Sequence, residues 1–189
     1  SYASQLFTTR YKGDVYTSSV YQSLFIASQS KQQWTMHKGS IYDLAFFNDA
    51  DNHFVTCSSY GELMKHSLKD NMISTEVLIS NNAYDFRDVY IDREKSVNYA
   101  ISRSGSFIIK SKDNNMELLV NDIGPLQKME VAGKQVLLLG EQGIAEVDTE
   151  NRTIARSRLF SFKSVSISRA DNYPCIFDNK GSIHIVKSY

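Results

Sequence analysis

The side chains able to do chemistry are few and scattered. Four histidines stand at His37, His53, His66 and His184, and two thiols at Cys57 and Cys175. A zinc centre needs imidazoles, thiolates or carboxylates that short segments can turn toward one ion, as in H-E-x-x-H or paired C-x-x-C. Neither spacing occurs, so no metal and no other cofactor is expected. Asp49 and Asp51 in FFNDADNH have a faint calcium-loop spacing, but the D-x-[DN]-x-[DN]-G core is missing and they read as solvated loop acids. G-x-S-x-G, G-x-G-x-x-G and G-x-x-x-x-G-K-[ST] do not occur, which leaves serine-hydrolase, dinucleotide and P-loop chemistry without support. No catalytic residue is named. Cys57 and Cys175 each lie inside an apolar run and read as buried, reduced thiols, which points to an intracellular setting, cytoplasm or nucleus. Against that setting, Asn151-Arg152-Thr153 reads as a chance glycosylation triplet.

One stretch has a charge bias. NRTIARSRLFSFKSVSISRA, residues 151–170, holds Arg152, Arg156, Arg158, Lys163 and Arg169 without an acid, interleaved with Phe160 and Phe162. Cations alternating with aromatics are what a phosphate backbone needs, so Arg156 and Arg158 are candidate nucleic-acid contacts whose binding would fall steeply with salt. The plainer reading is an outer strand whose arginines deter edge pairing and face Glu146 and Asp148, if the register allows. Globally there is no field to gather anions: 21 basic residues balance 21 acidic ones. Apolar residues make up 42% of 189, enough for a packed core, and no apolar run approaches the roughly 20 residues of a membrane span. The chain opens SYASQ, without Met, and reads as an excerpt of a longer polypeptide.

The elements that must hold these side chains emerge from a repeat. Ile41, Leu44 and Phe46 form an apolar-x-x-apolar-x-apolar triplet, and Gly61 follows. The same order recurs as Phe86, Val89, Ile91 with Gly105; Leu126, Met129, Val131 with Gly143; and Phe162, Val165, Ile167 with Gly181. Between triplet and glycine lies a second apolar run (HFVTCS, NYAIS, QVLLLG, YPCIF). After the glycine comes a third (ELMKHS, SFIIKS, IAEVD, SIHIVKS), and in three copies a fourth (STEVLIS, MELLVN, TIARSRLF). Short runs rich in Val, Ile, Phe and Tyr, separated by Asn, Asp, Gly and Ser, are strands and turns, and no segment keeps a helical period. Gly13 in RYKGDVYTSS suggests a further copy at the start, lacking its first strand. The spacing predicts about 18 strands in five units of roughly 40 residues, an all-β, β-propeller arrangement of four-stranded antiparallel blades with the first and last incomplete. The units are 1–36 (partial), 37–81, 82–121, 122–160 and 161–189 (partial) of one domain.

Residues 37–67 in particular resemble the WD40 repeat family. His37 stands four residues before Ile41, as in the family's Gly-His opening, and FVTCSSYGELMKH resembles its second strand, turn and third strand. The Trp-Asp slot of each copy reads Ser18-Ser19, His66-Ser67, Lys110-Ser111, Asp148-Thr149 and Val186-Lys187, and the one tryptophan, Trp34, lies in a fourth strand. The turn aspartate is replaced by Tyr60, Ser104, Gln142 or Lys180. The family's buried His-Ser-Asp-Trp network is therefore not expected intact in any blade. His37 is expected to cap the turn into its strand, and His66 and His184 to be packing or edge residues.

The resemblance implies a non-enzymatic protein–protein interaction scaffold within a multiprotein complex. Its partners would be other subunits or peptides, with the remaining blades supplied by the same chain or a partner. The loops joining second to third strands, and fourth to next first strands, would form a rim carrying His37, Lys38, Tyr60, Tyr84, Arg87, Arg103, Lys163 and Lys180. Tyrosine and arginine are frequent interface anchors. The alternatives are a nucleic-acid-contacting propeller using residues 151–170, or an enzyme or small-ligand sensor using the central channel.

Overall fold

Every apolar run singled out above forms a strand. The computed structural model describes residues 7–11, 14–18, 23–26, 33–35, 37–47, 53–70, 72–132, 135–170 and 173–186, and among them are nineteen strands and no helix. The strands form five antiparallel sheets, each in chain order. The first is β1 (Phe7–Tyr11), β2 (Asp14–Ser18), β3 (Ser23–Ile26) and β4 (Gln33–Thr35). The second is β5 (Ile41–Phe46), β6 (His53–Ser58), β7 (Glu62–Lys69) and β8 (Met72–Ser80). The third is β9 (Phe86–Asp92), β10 (Val97–Ser102), β11 (Ser106–Lys110) and β12 (Asn115–Leu119). The fourth is β13 (Leu126–Ala132), β14 (Gln135–Gly140), β15 (Gly143–Asp148) and β16 (Thr153–Leu159); the last is β17 (Ser164–Ala170), β18 (Tyr173–Asp178) and β19 (Ile183–Ile185).

The beginning differs from the sequence reading. The first sheet has all four strands, and Asp14–Ser18 is its second strand, not its third. Phe7–Tyr11 supplies the first strand that the spacing of the glycines leaves out. The repeat was mis-phased there because a lone glycine, with no apolar triplet ahead of it, set the register. Gly13 itself lies outside the described residues.

The chain divides into two compact units, Ser1–Ala100 with Ile109–Asn114, and Ile101–Ile108 with Asn115–Tyr189. In the first unit, β5 lies against β1 and β2, and β9 against β5 and β6. In the second, β17 lies against β13 and β14. Within each unit, then, a sheet presents its first strand to the first two strands of the sheet before it. Successive strand residues point to opposite faces, so a strand buried along its whole length must be covered on both. Phe54–Ser58 in β6 and Val136–Gly140 in β14 are buried without a break. The outer strand of the fourth sheet is the reverse: every residue of β16 is exposed. Burial therefore falls from the inner strands to the outer one, as flat stacking of small sheets requires. Phe54, Phe86 and Leu63 are fully buried in the first unit, and truncating such a phenylalanine costs about 3–5 kcal/mol. In the second, Leu137, Leu139, Ile144, Ile167, Ile176 and Val186 form one cluster with Phe160 and Phe162 against it.

Two details tie the sheets to their sequence. The first strands β5, β13 and β17 each carry a register shift near their start, between Ile41/Asp43, Leu126/Lys128 and Ser164/Ser166. A bulge recurring at one place is a built feature of the repeat. The shift in β5 skips Tyr42, and Asp43 just after it is buried and accepts the Val89 N–H at 3.0 Å, stitching the second sheet to β9.

Candidate functional site

Beneath the turn between β6 and β7 lies a line of polar side chains in a dry setting. His37 precedes β5, Thr56 is on β6, and Glu62 and His66 are on β7; all four are buried. His37 Nδ1 is 3.2 Å from Glu62 Oε2, and His37 Nε2 is 2.6 Å from Thr56 Oγ1. Thr56 Oγ1 is 2.7 Å from His66 Nε2, and His66 Nδ1 is 2.9 Å from Thr75 Oγ1 on β8. A carboxylate only accepts, so His37 Nδ1 carries a proton. A neutral imidazole then has a bare Nε2, to which the Thr56 hydroxyl donates. Thr56 in turn accepts from His66 Nε2–H, and His66 Nδ1 accepts from the Thr75 hydroxyl. All protons point one way along the line, toward Glu62. That carboxylate also accepts the Lys38 N–H at 2.9 Å and the Ser58 hydroxyl at 3.5 Å.

Burial keeps both imidazoles neutral. Desolvation lowers the pKa of His37 to about 4, the nearby Glu62 opposing it, and lowers that of His66 to about 3, with His37 adding to the fall. The His-Ser-Asp-Trp set is not present in the second sheet, but a buried network of other residues is. In it His66 stands in the tryptophan slot and donates a ring N–H to Thr56, and Glu62, just past the turn glycine, stands in for the turn aspartate. Its signal was present as Thr56, Glu62 and His66, polar residues inside otherwise apolar strands.

The network underpins a set of loops that brace one another. Ser59 N–H donates to the Ser40 carbonyl at 3.0 Å, and Ser40 N–H to Ser59 Oγ at 3.1 Å. On the other side, Asn81 N–H donates to the Gly61 carbonyl at 3.0 Å. The second unit repeats the scheme. There Gln142 N–H reaches the Ile123 carbonyl, Phe160 N–H the Gln142 carbonyl and Ser164 N–H the Glu141 carbonyl. In both, the turn between second and third strands is clasped by the segments that enter and leave its sheet.

On this rim the predicted residues meet different fates. Lys38 and Lys180 are exposed, and Tyr60 is 58% exposed at the tip of its turn. Tyr84 is half-buried, its ring 5.2 Å from that of Phe86. Arg87 is half-buried between the Asp85 carboxylate, 2.6 Å away, and the face of Tyr42, 3.9 Å from its centre. Tyr42 was not foreseen; it alternates with the apolar triplet and gave no signal of its own. His37 is withdrawn from the contact surface, because its side chain is buried in the network. In the second unit, Arg103 and Lys163 stand on either side of Glu141, at 3.8 and 3.9 Å.

The basic stretch divides similarly. The register pairs Arg156 with Glu146 and Arg158 with Ile144, and Arg156 Nε lies 2.7 Å from Glu146 Oε2. Asp148 stands opposite Thr153. Phe160 and Phe162 stack on each other, and Phe162 stacks on His184, whose Nε2 is 2.9 Å from Asp178 Oδ2. That bond, then the backbone N–H groups of Ser182 and Lys180, hold the Asp178 carboxyl down to about 2. No group of three or more His, Cys, Asp or Glu able to hold a metal ion occurs among the described residues. Cys57 and Cys175 are both buried and unbridged. No helix among the described residues is long and apolar enough to cross a membrane.

Stacked four-stranded sheets, buried inner strands and clasped turns define a β-propeller, each sheet one blade. No protein-family model matches the chain, and no curated protein matches it. Solved structures do. It is similar to the WD40 β-propeller domain of Doa1, with a TM-score of 0.76 and 13% identity over 94% of this chain. The chain spans 62% of that domain's length. It is also similar to the computationally designed Ika4 protein, with a TM-score of 0.62 and 12% identity over 80% of this chain and 92% of that one. At these identities the likeness is one of fold: the chain has the WD40-type β-propeller fold.

Proposed function

We propose that this chain is a non-enzymatic scaffold segment whose rim of strand-joining loops docks another protein subunit inside a larger assembly. The observation that carries this reading is the bracing of residues 37–40, 58–61 and 81–84 around one exposed tyrosine. A contact surface held in place before binding loses little conformational entropy on association, and tyrosine is a frequent anchor. His37 and Glu62 are committed to each other beneath the surface and serve to hold the loops. Two buried, unbridged thiols support an intracellular setting. Full-length protein carrying a photocrosslinking phenylalanine analogue at position 60, or at exposed position 154 on β16, tests the reading in extract of the cells that make it. The expected result is one discrete adduct from position 60, lost with Lys38→Glu, and none from position 154. Equal labelling from both positions, or none from position 60, sinks it.

A further inference from the structure

The opposite end of the same strands holds a second feature. Within the first unit, a cavity of about 480 Å³ is lined by Phe47, by Lys65 of β7, by consecutive residues of β8, by the turn after β9 and by the segment after β11. Its wall is cationic. Lys65, Arg93, Lys110 and Lys112 line it against Glu76 and Asp92, a local surplus of two positive charges in a chain that is neutral as a whole. The acids are further committed. Asp92 is buried, accepts the Tyr99 hydroxyl at 3.0 Å and the Lys95 N–H at 3.1 Å, and lies 3.6 Å from Lys95 Nζ. Glu76 stands directly opposite Lys65 in the β7–β8 register. Arg93 is braced by donating to the Phe46 carbonyl at 3.1 Å, and Lys65 Nζ sits 5.1 Å over the Phe47 ring.

The remaining lining is suited to a chain segment more than to a bare anion. Phe47, Leu78, Ile91 and the 55%-exposed Val77 give it an apolar side. Glu76, Val77 and Leu78 all line it although neighbouring strand residues alternate in direction, and the β7–β8 register skips Leu78. The wall therefore includes the edge of β8, the last strand of its sheet. Asn98 Oδ1 is buried in the same lining without a hydrogen-bond partner. A peptide N–H donates to such an acceptor; a fully deprotonated anion such as sulfate has no donor for it.

We propose that this groove docks a short, acidic, extended peptide with an apolar side chain: carboxylates against Lys110, Lys112 and Arg93, and the apolar group beside Val77 and Phe47. Cationic and apolar surface in one groove beside a strand edge is a peptide-recognition arrangement. It is independent of the rim reading, since the two surfaces lie at opposite ends of the strands and either fails without the other.

The test is fluorescence anisotropy on the full chain with a labelled Glu-Asp-Leu-Glu-Asp peptide, its leucine-to-serine counterpart and a Lys-Lys-Leu-Lys-Lys control. The expected result is saturable binding of the first alone, weakened about tenfold or more by Lys110→Glu with Lys112→Glu and by Val77→Ser, and falling with salt. Lys112→Glu alone, at an exposed position, gives the same direction if the double variant folds poorly. Equal binding of the serine peptide, or displacement by millimolar inorganic phosphate, reduces the site to an anion pocket and overturns the proposal. Competition by polyuridylate that Lys112→Glu abolishes overturns it in favour of nucleic acid. Self-association that Lys112→Glu abolishes overturns it in favour of a second copy.

Discussion

The second and fourth blades solve one packing problem in opposite ways. Both must fill the space under the turn between their second and third strands. The second blade fills it with His37, Thr56, Glu62 and His66, joined end to end by hydrogen bonds. In the fourth, the strand registers put Leu138, fully buried, where Thr56 stands and Gly143 where Glu62 stands. Ile123 presses against two glycines there: a Cβ on Gly140 would lie 2.8 Å from Ile123 Cγ1, and one on Gly143 would lie 2.9 Å from Ile123 Cγ2. The polar solution fixes directions and ties three strands to a loop, and it fails as a unit. The apolar one fails in proportion to the volume lost.

The turn glycines give the largest expected difference. Gly61 has φ +70, and a Cβ on it would sit 1.7 Å from the Asn81 carbonyl oxygen. Gly143 is absent from the positive-φ residues; a Cβ on it would meet the Arg158 carbonyl oxygen at 2.5 Å. Gly61→Ala should cost more than about 3 kcal/mol, from φ strain and backbone overlap together. Gly143→Ala should cost about 1–3 kcal/mol, from overlap alone. Urea midpoints measure both, and a reversed order would mean that the two turns do not differ in this way.

Acid separates the polar blade from the last one. A histidine whose folded pKa lies below its unfolded 6.5 holds fewer protons folded than unfolded. The stability of keeping it neutral is therefore whole above about pH 6.5 and drains as pH falls toward about 4 for His37 and about 3 for His66. Each drains at up to about 1.4 kcal/mol per pH unit. Asp178 behaves otherwise: its contribution is present above its unfolded 3.8 and is lost only as pH falls through about 2. Hydrogen exchange, corrected for intrinsic rates, should show β6 and β7 losing protection between pH 6.5 and 4 while β18 keeps it. Parallel loss in both would remove the network as the cause.

Thr56→Val is the finest probe of the relay. It keeps shape, yet removes the donor to His37 and the acceptor for His66, and should cost about 2–3 kcal/mol. Leu138→Val in the fourth blade removes one methylene and should cost about 1 kcal/mol. A double-mutant cycle of Thr56→Val with His66→Phe should give a coupling of at least about 1 kcal/mol; additivity would mean that the two side chains do not act together.

The contrast also explains what could be read in advance. Strand order followed from period-two runs and spaced glycines, because each blade must bury its inner strands on both faces and turn tightly at one end. The polar network escaped a reading tied to fixed slots, since His66 can donate a ring N–H where an indole would and Glu62 can reach back from two positions later. Its trace was chemical: Thr56 in HFVTCS and His66 in ELMKHS are polar where the strand is buried. Arg87 could not be assigned, because a stack on Tyr42 depends on how two sheets meet. The first blade was mis-phased because TTRYKGDVYTSS matches a turn in spacing without the triplet that would anchor it.

The smallest effect lies on the outer strand of the fourth blade. The Arg156 side chain is 49% exposed, so its pair with Glu146 faces solvent on one side and contributes little by itself. Glu146, however, is buried, and Arg156→Ala takes a charged donor from a carboxylate that water reaches poorly. A loss of about 1 kcal/mol is expected, shrinking as salt rises. Arg156→Lys should recover only part of the loss, because lysine has no Nε and supplies a point charge in place of a planar fork. Stability unchanged in Arg156→Ala, together with weakened and less salt-dependent binding to single-stranded nucleic acid, would reverse this account. The arginines would then be a binding strip, and the acidic partner on β15 would only restrain it.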